Sequence, residues 1–428
     1  MKTILLSLLL LVLSCQSRIS ESIDEVAEGY VKLVLRVGQY DPLYVDAYYG
    51  PSEFTPAAPD TASTSFPFTE FKTLVTDLQQ RLTNVNRRGF DRLDSLRYQF
   101  LRISLRAVNA KIEMLNGKQY SYDEEAKYIY DVTLPNFPDD QFDEVVEDLD
   151  HLLPGSGPLY QRLHTYNNRF VIPPERIEEA MRLAIDECRR RTLEHVDLPE
   201  EENFILELVK DQPWGAYNWY KGDYQSVIQI NVSHPIYIST VLSWAAHEGY
   251  PGHHVNLSLL EQNLYRQRGW IETAINPLFS PFNVIAEGIA NTAIDMVLPQ
   301  DEKIEFAKQM LFPLTEADSG EASRYFKIRS LVSQLGWVRT FIERNYLNGT
   351  LSREEALEQL EKRALMAPEV APRALQFAET YGSYSVTYRV GLQLVKDYLE
   401  RHSSASVSEW DVFADVLSTP RVPSSLAP

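Results

Sequence analysis

The chain has 428 residues, which is enough for one large helical domain or for two lobes. It carries 60 acidic against 41 basic residues, a formal net charge of −19, and this balance argues against nucleic acid as a partner and against a polybasic membrane-binding face. One of the two cysteines, Cys188, falls on a predicted helix with no nucleophile motif around it, so we expect a structural thiol.

The amino terminus is similar to a lipoprotein signal peptide, which we predict over residues 1–14. An apolar run at residues 4–13 leads into Cys15 in a lipobox-like ending. The run is too short to span a bilayer comfortably, and the alternatives are a single-pass anchor or a cleaved signal with an incidental cysteine. Acyl chains on Cys15 would tether an otherwise soluble protein to a bacterial membrane and leave no pair of cysteines for an intrachain disulfide. Gln16 after it favours the outer membrane.

Amphipathic helices are predicted along most of the chain, and strand patterns are sparse, so the expected fold class is mainly α. We divide the chain into an N-terminal helical region, residues 15–200, and a C-terminal region, residues 201–428. Alternation of apolar and polar residues predicts one strand at residues 226–232. Helical periodicity covers residues 23–37, 68–82, 93–115, 142–153, 176–195, 306–345 and 353–365.

Three of the eight histidines lie within residues 247–254, around a glutamate and a Pro-Gly pair. A zinc hydrolase site needs two neutral imidazoles, a third protein ligand, an open position for water and a carboxylate that can take the proton of that water. In the common helical arrangement the two histidines are four residues apart. Here the fourth residue after His247 is Pro251, and the next histidines are His253 and His254.

An unbroken helix would not bring these histidines to one ion. A step of six residues turns the side chain away by about 120°, and a step of seven places it roughly 10 Å further along. Because Pro251 cannot continue a helix and Gly252 accepts backbone angles closed to other residues, we predict a bulged or broken helix here.

Such a break would bring either His253 or His254 beside His247, with Glu248 as the general base for a metal-bound water. The alternative is a set of ordinary polar residues at a kinked helix, in which the histidines bond to the backbone.

Glu287 is the candidate for the third ligand. It lies on a predicted helix, and every neighbour from residue 274 to residue 292 is uncharged. Buried carboxylates are paired or metal-bound, so Glu287 binds either the metal or an arginine elsewhere. With one zinc ion, two histidines from one helix and this glutamate would complete the ligand set of a zinc peptidase.

The block His-Glu-x-x-Pro-Gly-His-His, followed by Glu-Gly on a later helix, resembles the bacterial family called domain of unknown function 885. Its members are usually regarded as zinc metallopeptidases. The resemblance extends from about residue 226 to residue 398, with a weaker echo at residues 44–51. It implies a helical peptidase-like fold, similar to the thimet-oligopeptidase and carboxypeptidase Taq group, with a deep cleft and a small β-sheet next to the metal-binding helix.

Two further residues take roles from this resemblance. The segment Tyr388-Arg389-Val390-Gly391 is similar to the family's tyrosine-basic-x-glycine segment. The resemblance implies that Tyr388 polarises the scissile carbonyl and that Arg389 binds a carboxylate or the backbone of the substrate. The alternative is a structural role, since the tyrosines in this stretch follow a helical rhythm typical of a core, at Tyr381, Tyr384, Tyr388 and Tyr398.

The chain departs from the family at Ile289 and Thr292, where the family commonly has a tryptophan and an aromatic residue. These positions are expected in the wall of the pocket, where they would alter substrate preference. Related peptidases bind the substrate backbone along an edge strand, and the predicted strand is the candidate for that edge. The residues that would line it, or that would only anchor a small sheet, are Trp214, Tyr217, Trp219, Tyr220 and Asn231.

Together these residues predict a zinc-dependent hydrolase, a metallopeptidase that cleaves short peptides. Within enzymes, the rival is a metal-dependent amidase or hydrolase that acts on a non-peptide substrate. Outside enzymes, the rival is a surface binding lipoprotein with a closed structural metal site, in which His253 and His254 both bind the metal. The sequence contains no nucleophile elbow, no P-loop and no dinucleotide-binding glycine motif.

Overall fold

A computed structural model describes residues 21–57, 65–138 and 140–428. The predicted signal peptide at residues 1–14, Cys15 and Gln16 lie outside the described residues. Within the described ranges, no helix is both long enough and apolar enough to cross a membrane.

Four helices and their connections form the first lobe. Apolar residues at helical spacing bury one face of each helix, as Val26, Tyr30 and Val34 do on the first helix against Val75 on the second. The predicted bounds of three of these helices agree with the structure to within two residues. The helices are α1 Ile23–Gly38, α2 Phe68–Asn84, α3 Arg92–Leu115 and α4 Tyr122–Tyr130.

The rest of the chain is also mainly helical, which confirms the predicted fold class. The helices are α5 Asp143–Leu152, α6 Leu159–Asn167, α7 Ile177–Thr192, α8 Ile238–Trp244, α9 His253–Leu260, α10 Pro281–Val297, α11 Gln300–Phe306, α12 Ala322–Gln334, α13 Gly336–Leu347, α14 Arg353–Lys362, α15 Ala371–Tyr381, α16 Val386–His402, α17 Glu409–Ser418 and α18 Pro423–Leu426. Cys188 is a free, fully buried thiol on α7, as a structural role requires.

The range predicted as helical at residues 306–345 is mostly helical but interrupted. A π-helical turn at Ala307–Leu311 and a 3-10 turn at Phe312–Leu314 separate α11 from α12. Pro313 in the second turn has no N–H to continue the helical hydrogen bonds. The predicted helix at residues 353–365 is present as α14, and Ser352 caps it in a capping box with Glu355.

The described residues form two small sheets. In the first, β1 Val45–Tyr48 pairs antiparallel with β5 Ile275–Pro277. In the second, the strand order is β2 Asn203–Val209, β4 Gln225–Asn231, β3 Ala216–Gly222. The predicted strand is therefore β4, but it is the central strand, not the edge, because β2 and β3 hydrogen-bond to its two sides. The strand pattern of β4 was recognisable since its alternate residues are buried.

Two hydrophobic cores meet along α10 and α16. Val284 and Val390 pack in the core of the first lobe, and Ile289 and Val395 pack in the core of the second. Helices α5 to α7 belong to the second core. The first core also contains residues of α10 and α16, so the cores do not divide at one point of the sequence, and the division at residue 200 stays a prediction.

The two helices cross at a pair of glycines. A Cβ atom on Gly288 would lie 2.4 Å from the carbonyl oxygen of Gly391, and a Cβ atom on Gly391 would lie 2.2 Å from that of Val284. Only glycine permits this approach of the two backbones. The crossing places Glu287 of α10 and Tyr388 of α16 at one cavity.

Candidate metal centre

The helix that carries the histidine block is broken, as predicted. α8 ends in a π-helical turn at Ala245–Gly249, and α9 begins at His253. The N–H of Gly252 donates to the carbonyl oxygen of Ala246 at 2.9 Å. A Cβ atom on Gly252 would lie 1.9 Å from the carbonyl oxygen of His247, so this glycine is needed for close approach of the backbone.

The break brings three candidate ligands together. His247 Nε2 lies 3.4 Å from Glu287 Oε2, and His253 Nε2 lies 3.9 Å from Glu287 Oε1. One potential ligand atom of each residue lies within 4.8 Å of those of the other two. The two imidazole rings meet edge to face, with their centroids 4.7 Å apart. All three side chains are largely buried, with exposed fractions between 9% and 17%.

The donor set fits a zinc ion. Two ligand atoms at about 2.05 Å from a tetrahedral ion lie roughly 3.3 Å apart, close to the separations observed here. Glu287 Oε2 is buried and has no hydrogen-bond partner among the described residues, which is costly unless the oxygen binds something else. No described arginine or lysine forms an ion pair with Glu287, so the arginine alternative for this carboxylate has no partner in this part of the chain.

His254 is directed to a different environment. Its Nδ1 lies 2.8 Å from Ser226 Oγ and its Nε2 lies 2.9 Å from Glu202 Oε2. Tyr250 donates to the same carboxylate oxygen at 2.5 Å, and Arg189 donates to the other at 2.6 Å. We call these five residues the His254 network. Both nitrogens of the fully buried ring are therefore occupied, and His254 does not join the candidate ligands, alone or as a fourth one.

Glu248 lies beside the ligands with its carboxylate free. Only 5% of the residue is exposed, and its side chain makes no hydrogen bond with any described residue. Burial is the main cause that raises the pKa of Glu248 to about 7. The charge of Glu287 also raises this pKa, whereas the charge of His247 lowers it. Burial and His247 lower the pKa of His253 to about 4, so its ring is neutral at neutral pH, the form that binds metals.

Two tyrosines at the amino-terminal end of α16 approach the same cavity. Tyr384, which the sequence analysis placed in a core rhythm, donates to Glu287 Oε1 at 3.2 Å. Tyr388 lines the cavity, and burial together with Glu287 raises the pKa of its phenol well above the ordinary value. Its hydroxyl therefore keeps its proton and remains a hydrogen-bond donor.

Arg389 is not part of the cavity lining. Its guanidinium lies against Gly336 of α13, where a Cβ atom would be 2.2 Å from Arg389 Cζ. Burial and the nearby charge of Arg339 lower the pKa of Arg389. The structure therefore does not bring Arg389 to the cavity with Tyr388, because consecutive residues of a helix point about 100° apart.

The cavity has a volume of about 410 Å³ and is lined by acids and aromatic rings. Ile289 and Thr292 are buried in the protein and do not line it, which corrects their expected place in the pocket wall. Among the residues that line it are Asp46, Glu248 and Glu287, and the rings of Trp214, Tyr217, Trp219, Phe282, Phe377, Tyr381, Tyr384 and Tyr388.

Strand β3 and the segment before it form one wall of the cavity. No residue of β4 lines the cavity. Three of the five residues predicted to line the substrate edge, Trp214, Tyr217 and Trp219, are in that wall. The other two residues of the prediction point elsewhere. Tyr220 donates to Glu261 Oε2 at 2.5 Å, and Asn231 holds the segment before β3 through two carbonyl oxygens at 2.9 Å.

Sequence reasoning missed Asp46, an acid of β1 in the cavity wall. The only signal was its place in the weak family echo at residues 44–51. The hydroxyl of Tyr217 donates to Asp46 Oδ1, and Asn276 Nδ2 donates to Asp46 Oδ2 at 3.3 Å.

No family model matches the chain, and no curated protein matches it. Among solved structures, it is similar to a "putative lipoprotein" from Colwellia psychrerythraea, with a TM-score of 0.51 and 13% identity. That likeness covers 83% of this chain and 65% of the other, so the chain spans less than two thirds of the length of that structure. A "putative lipoprotein of unknown function" from Shewanella oneidensis gives a TM-score of 0.48 and 11% identity, over 84% of this chain and 70% of the other. At 13% identity, the first likeness indicates a shared fold only.

Proposed function

We propose that the chain is a zinc-dependent hydrolase, and specifically a metallopeptidase that cleaves short peptides. The observation that carries this proposal is the convergence of His247, His253 and Glu287, with the unpaired carboxylate of Glu248 in the same cavity. The resemblance of this block to the domain of unknown function 885 family supports the choice of a peptidase over a hydrolase for other substrates.

Each residue of the site has a role in this reaction. His247, His253 and Glu287 would hold the zinc ion, which supplies Lewis-acid polarisation and acidifies water when it is bound. Tyr384 fixes the orientation of Glu287 through its hydrogen bond. Glu248 accepts a proton at its free carboxylate and returns it to the leaving amine. The phenol of Tyr388 donates a hydrogen bond to the negative charge that develops on the carbonyl oxygen.

We also infer that the protein is exported and lipid-anchored at Cys15, at the outer membrane. The N-terminal residues support this, and the Colwellia psychrerythraea protein of similar fold carries the name of a lipoprotein. Metabolic labelling with an alkyne fatty acid tests the anchor. We expect label on the wild-type protein and none on Cys15→Ser, and equal labelling of the two would contradict the anchor at this residue. Separation of the inner and outer membranes then tests the location.

Metal analysis of the purified protein is the first test of the hydrolase. We expect one zinc ion per chain in the wild type and loss of bound zinc in His247→Ala. Digestion of a peptide library by the zinc-loaded protein is the second test, with cleavage products identified by mass spectrometry. Wild-type protein that binds no metal at micromolar zinc contradicts the whole proposal. Bound zinc without cleavage of any peptide contradicts the peptidase and leaves the non-peptide amidase as the alternative.

A further inference from the structure

Asp46 has no lysine or arginine in direct contact among the described residues. Its two oxygens accept hydrogen bonds from the hydroxyl of Tyr217 and from the amide of Asn276, which are both uncharged donors. Asp46 forms no salt bridge with a lysine or arginine of the described ranges; burial raises the pKa of Asp46 more than the charge of Lys221 lowers it. A carboxylate has about four acceptor sites, so about two remain for a ligand. Acids withdrawn from water normally have a charged partner, and here the cavity is the open side.

Neighbouring amides hold Asp46 in place. Asn283 Nδ2 donates to Asn276 Oδ1 at 3.2 Å and to the carbonyl oxygen of Leu278 at 2.8 Å. Asn276 is thereby oriented with its own amide nitrogen towards Asp46. Donors from β3 and from β5 thus position the same carboxylate, and an acid supported from two sides is preorganised for a partner.

The surrounding wall suits a cation. The rings of Trp214 and Tyr217 have centroids 5.5 Å apart, and those of Tyr217 and Trp219 are 4.6 Å apart, which makes an aromatic row along the cavity. Ring faces attract ammonium groups. Asn218, which also lines the cavity, has a buried Oδ1 with no hydrogen-bond partner among the described residues. That oxygen can accept a hydrogen bond from an ammonium group.

The same wall disfavours an anion. Among the described residues that line the cavity, three are carboxylates and none is lysine or arginine. Arg389, the expected partner for a substrate carboxylate, lies against α13 instead. A peptide carboxylate placed beside Asp46 would meet a like charge, whereas an amino group placed there would meet an opposite one.

We propose that Asp46 anchors a protonated amino group of the substrate, so that the site selects peptides that present an ammonium. The proposal rests on the proposed peptidase function and specifies its substrate class. The ammonium belongs either to the peptide amino terminus or to a lysine side chain. In the first case, the bond that is cleaved lies near the amino terminus, because Asp46 and the candidate metal ligands border one cavity of about 410 Å³.

Equilibrium binding tests this without any need for turnover. The protein is the zinc-loaded Glu248→Gln variant, and calorimetry measures the affinity for three probes. These are tetra-alanine amide with a free amino terminus, its N-acetylated form, and an N-acetylated form with lysine as the first residue. We expect at least one ammonium probe to bind about tenfold or more tightly than N-acetyl-tetra-alanine amide. Which of the two gains affinity identifies the source of the ammonium.

Adding Asp46→Asn to that protein should remove the advantage of the ammonium probe, since the isosteric amide keeps an acceptor for Tyr217 but carries no charge. Glu53→Gln is the matched control, because Glu53 is an exposed acid outside the cavity lining, and it should leave the advantage intact. Equal binding of the three probes, binding of none, or an advantage that survives Asp46→Asn overturns the proposal. If Asp46→Asn does not fold, the comparison of probes in the Asp46-containing protein still decides.

The outcome separates this proposal from the proposed reaction. In one outcome, the wild type cleaves peptides without distinguishing free from acetylated amino termini, or lysine from alanine. That result would contradict the role of Asp46 and leave the proposed hydrolase unaffected. An Asp46-dependent preference for the ammonium probes in a protein that cleaves no peptide would support the role of Asp46 and contradict the peptidase.

Discussion

The side chains of two adjacent residues, His253 and His254, lie in two contrasting polar environments. His254 belongs to the His254 network, in which both ring nitrogens and both oxygens of Glu202 have hydrogen-bond partners. His253 belongs to the candidate metal centre, where Glu287 Oε2 has no partner and the side chain of Glu248 has none among the described residues. Both regions combine histidine with buried carboxylates, so residue type and burial alone do not distinguish them.

What distinguishes the two regions is hydrogen-bond saturation. A buried polar group without a partner costs free energy, and a native structure keeps it where a ligand or a reaction uses it. A saturated buried network fixes one arrangement of the chain instead. The comparison therefore assigns a chemical role to the residues that face the cavity and a positioning role to those behind α9. Paired substitutions in the two regions test that assignment.

The largest expected effect comes from Glu248→Gln paired with Glu202→Gln. Loss of the general base should lower peptide cleavage about 100- to 10,000-fold while zinc stays bound. Its effect on the free energy of unfolding should be small, because the amide replaces a buried carboxylate that has no partner. Glu202→Gln should retain zinc but lower the free energy of unfolding by about 3 kcal/mol, since it breaks a buried charge cluster. Cleavage assays and urea unfolding measure both, and similar profiles for the two variants would erase the distinction.

The adjacent histidines give the second pair. His253→Ala should lose tightly bound zinc, yet change the free energy of unfolding of chelator-treated protein by about 1 kcal/mol or less, because the ring makes no hydrogen bond there. His254→Ala should keep zinc and cost about 3 kcal/mol, because Ser226 and Glu202 lose a buried partner. Zinc content and urea unfolding are the measurements. Zinc loss from His254→Ala in a folded protein would mean that the wrong histidine has been assigned.

The sequence predicted those parts of the site that local chemistry decides. Pro251 and Gly252 predicted the break in the helix, and the uncharged surroundings of Glu287 predicted its burial. The choice between His253 and His254 was not predictable, because it depends on where α9 points. Partners 28 and 52 residues away along the chain, Ser226 and Glu202, occupy the ring of His254.

The remaining parts of the site were not predictable because they depend on contacts between residues that are far apart in the sequence. Asp46 is oriented by residues 171 and 230 positions away, and the sequence around it carries no local sign of that pairing. The same reason explains the error about the edge strand. The alternation in β4 predicts a strand, but its neighbours depend on the pairing of β2 and β3, which one strand pattern does not specify.

The third pair is Tyr388→Phe and Tyr250→Phe, which each remove one phenol oxygen. Tyr388→Phe should lower kcat about 100-fold with little change in zinc content or stability, because its hydroxyl acts on the developing oxyanion. Tyr250→Phe should leave kcat unchanged and lower the free energy of unfolding by about 1–2 kcal/mol, since Glu202 loses a charged hydrogen bond. Steady-state kinetics and urea unfolding separate the two, and an unchanged kcat in Tyr388→Phe would remove this tyrosine from the reaction.

The smallest expected effect is a pH dependence confined to the His254 network. Burial raises the pKa of Glu202, but hydrogen bonds from His254, Tyr250 and Arg189 outweigh it and hold the pKa below the ordinary 4.5. A carboxyl group whose pKa is lower in the folded than in the unfolded state stabilises the fold above the unfolded pKa and loses that effect as the pH falls through the folded one.

The difference in unfolding free energy between wild type and Glu202→Gln should therefore shrink as the pH falls below about 4.5. Urea unfolding of both proteins from neutral pH downward measures it, with the exposed-site variant Glu53→Gln as the control for general charge loss. A difference that grows towards acid pH would mean that Glu202 is protonated in the folded protein, and the contrast between a saturated network and an unsaturated metal centre would then lose its basis.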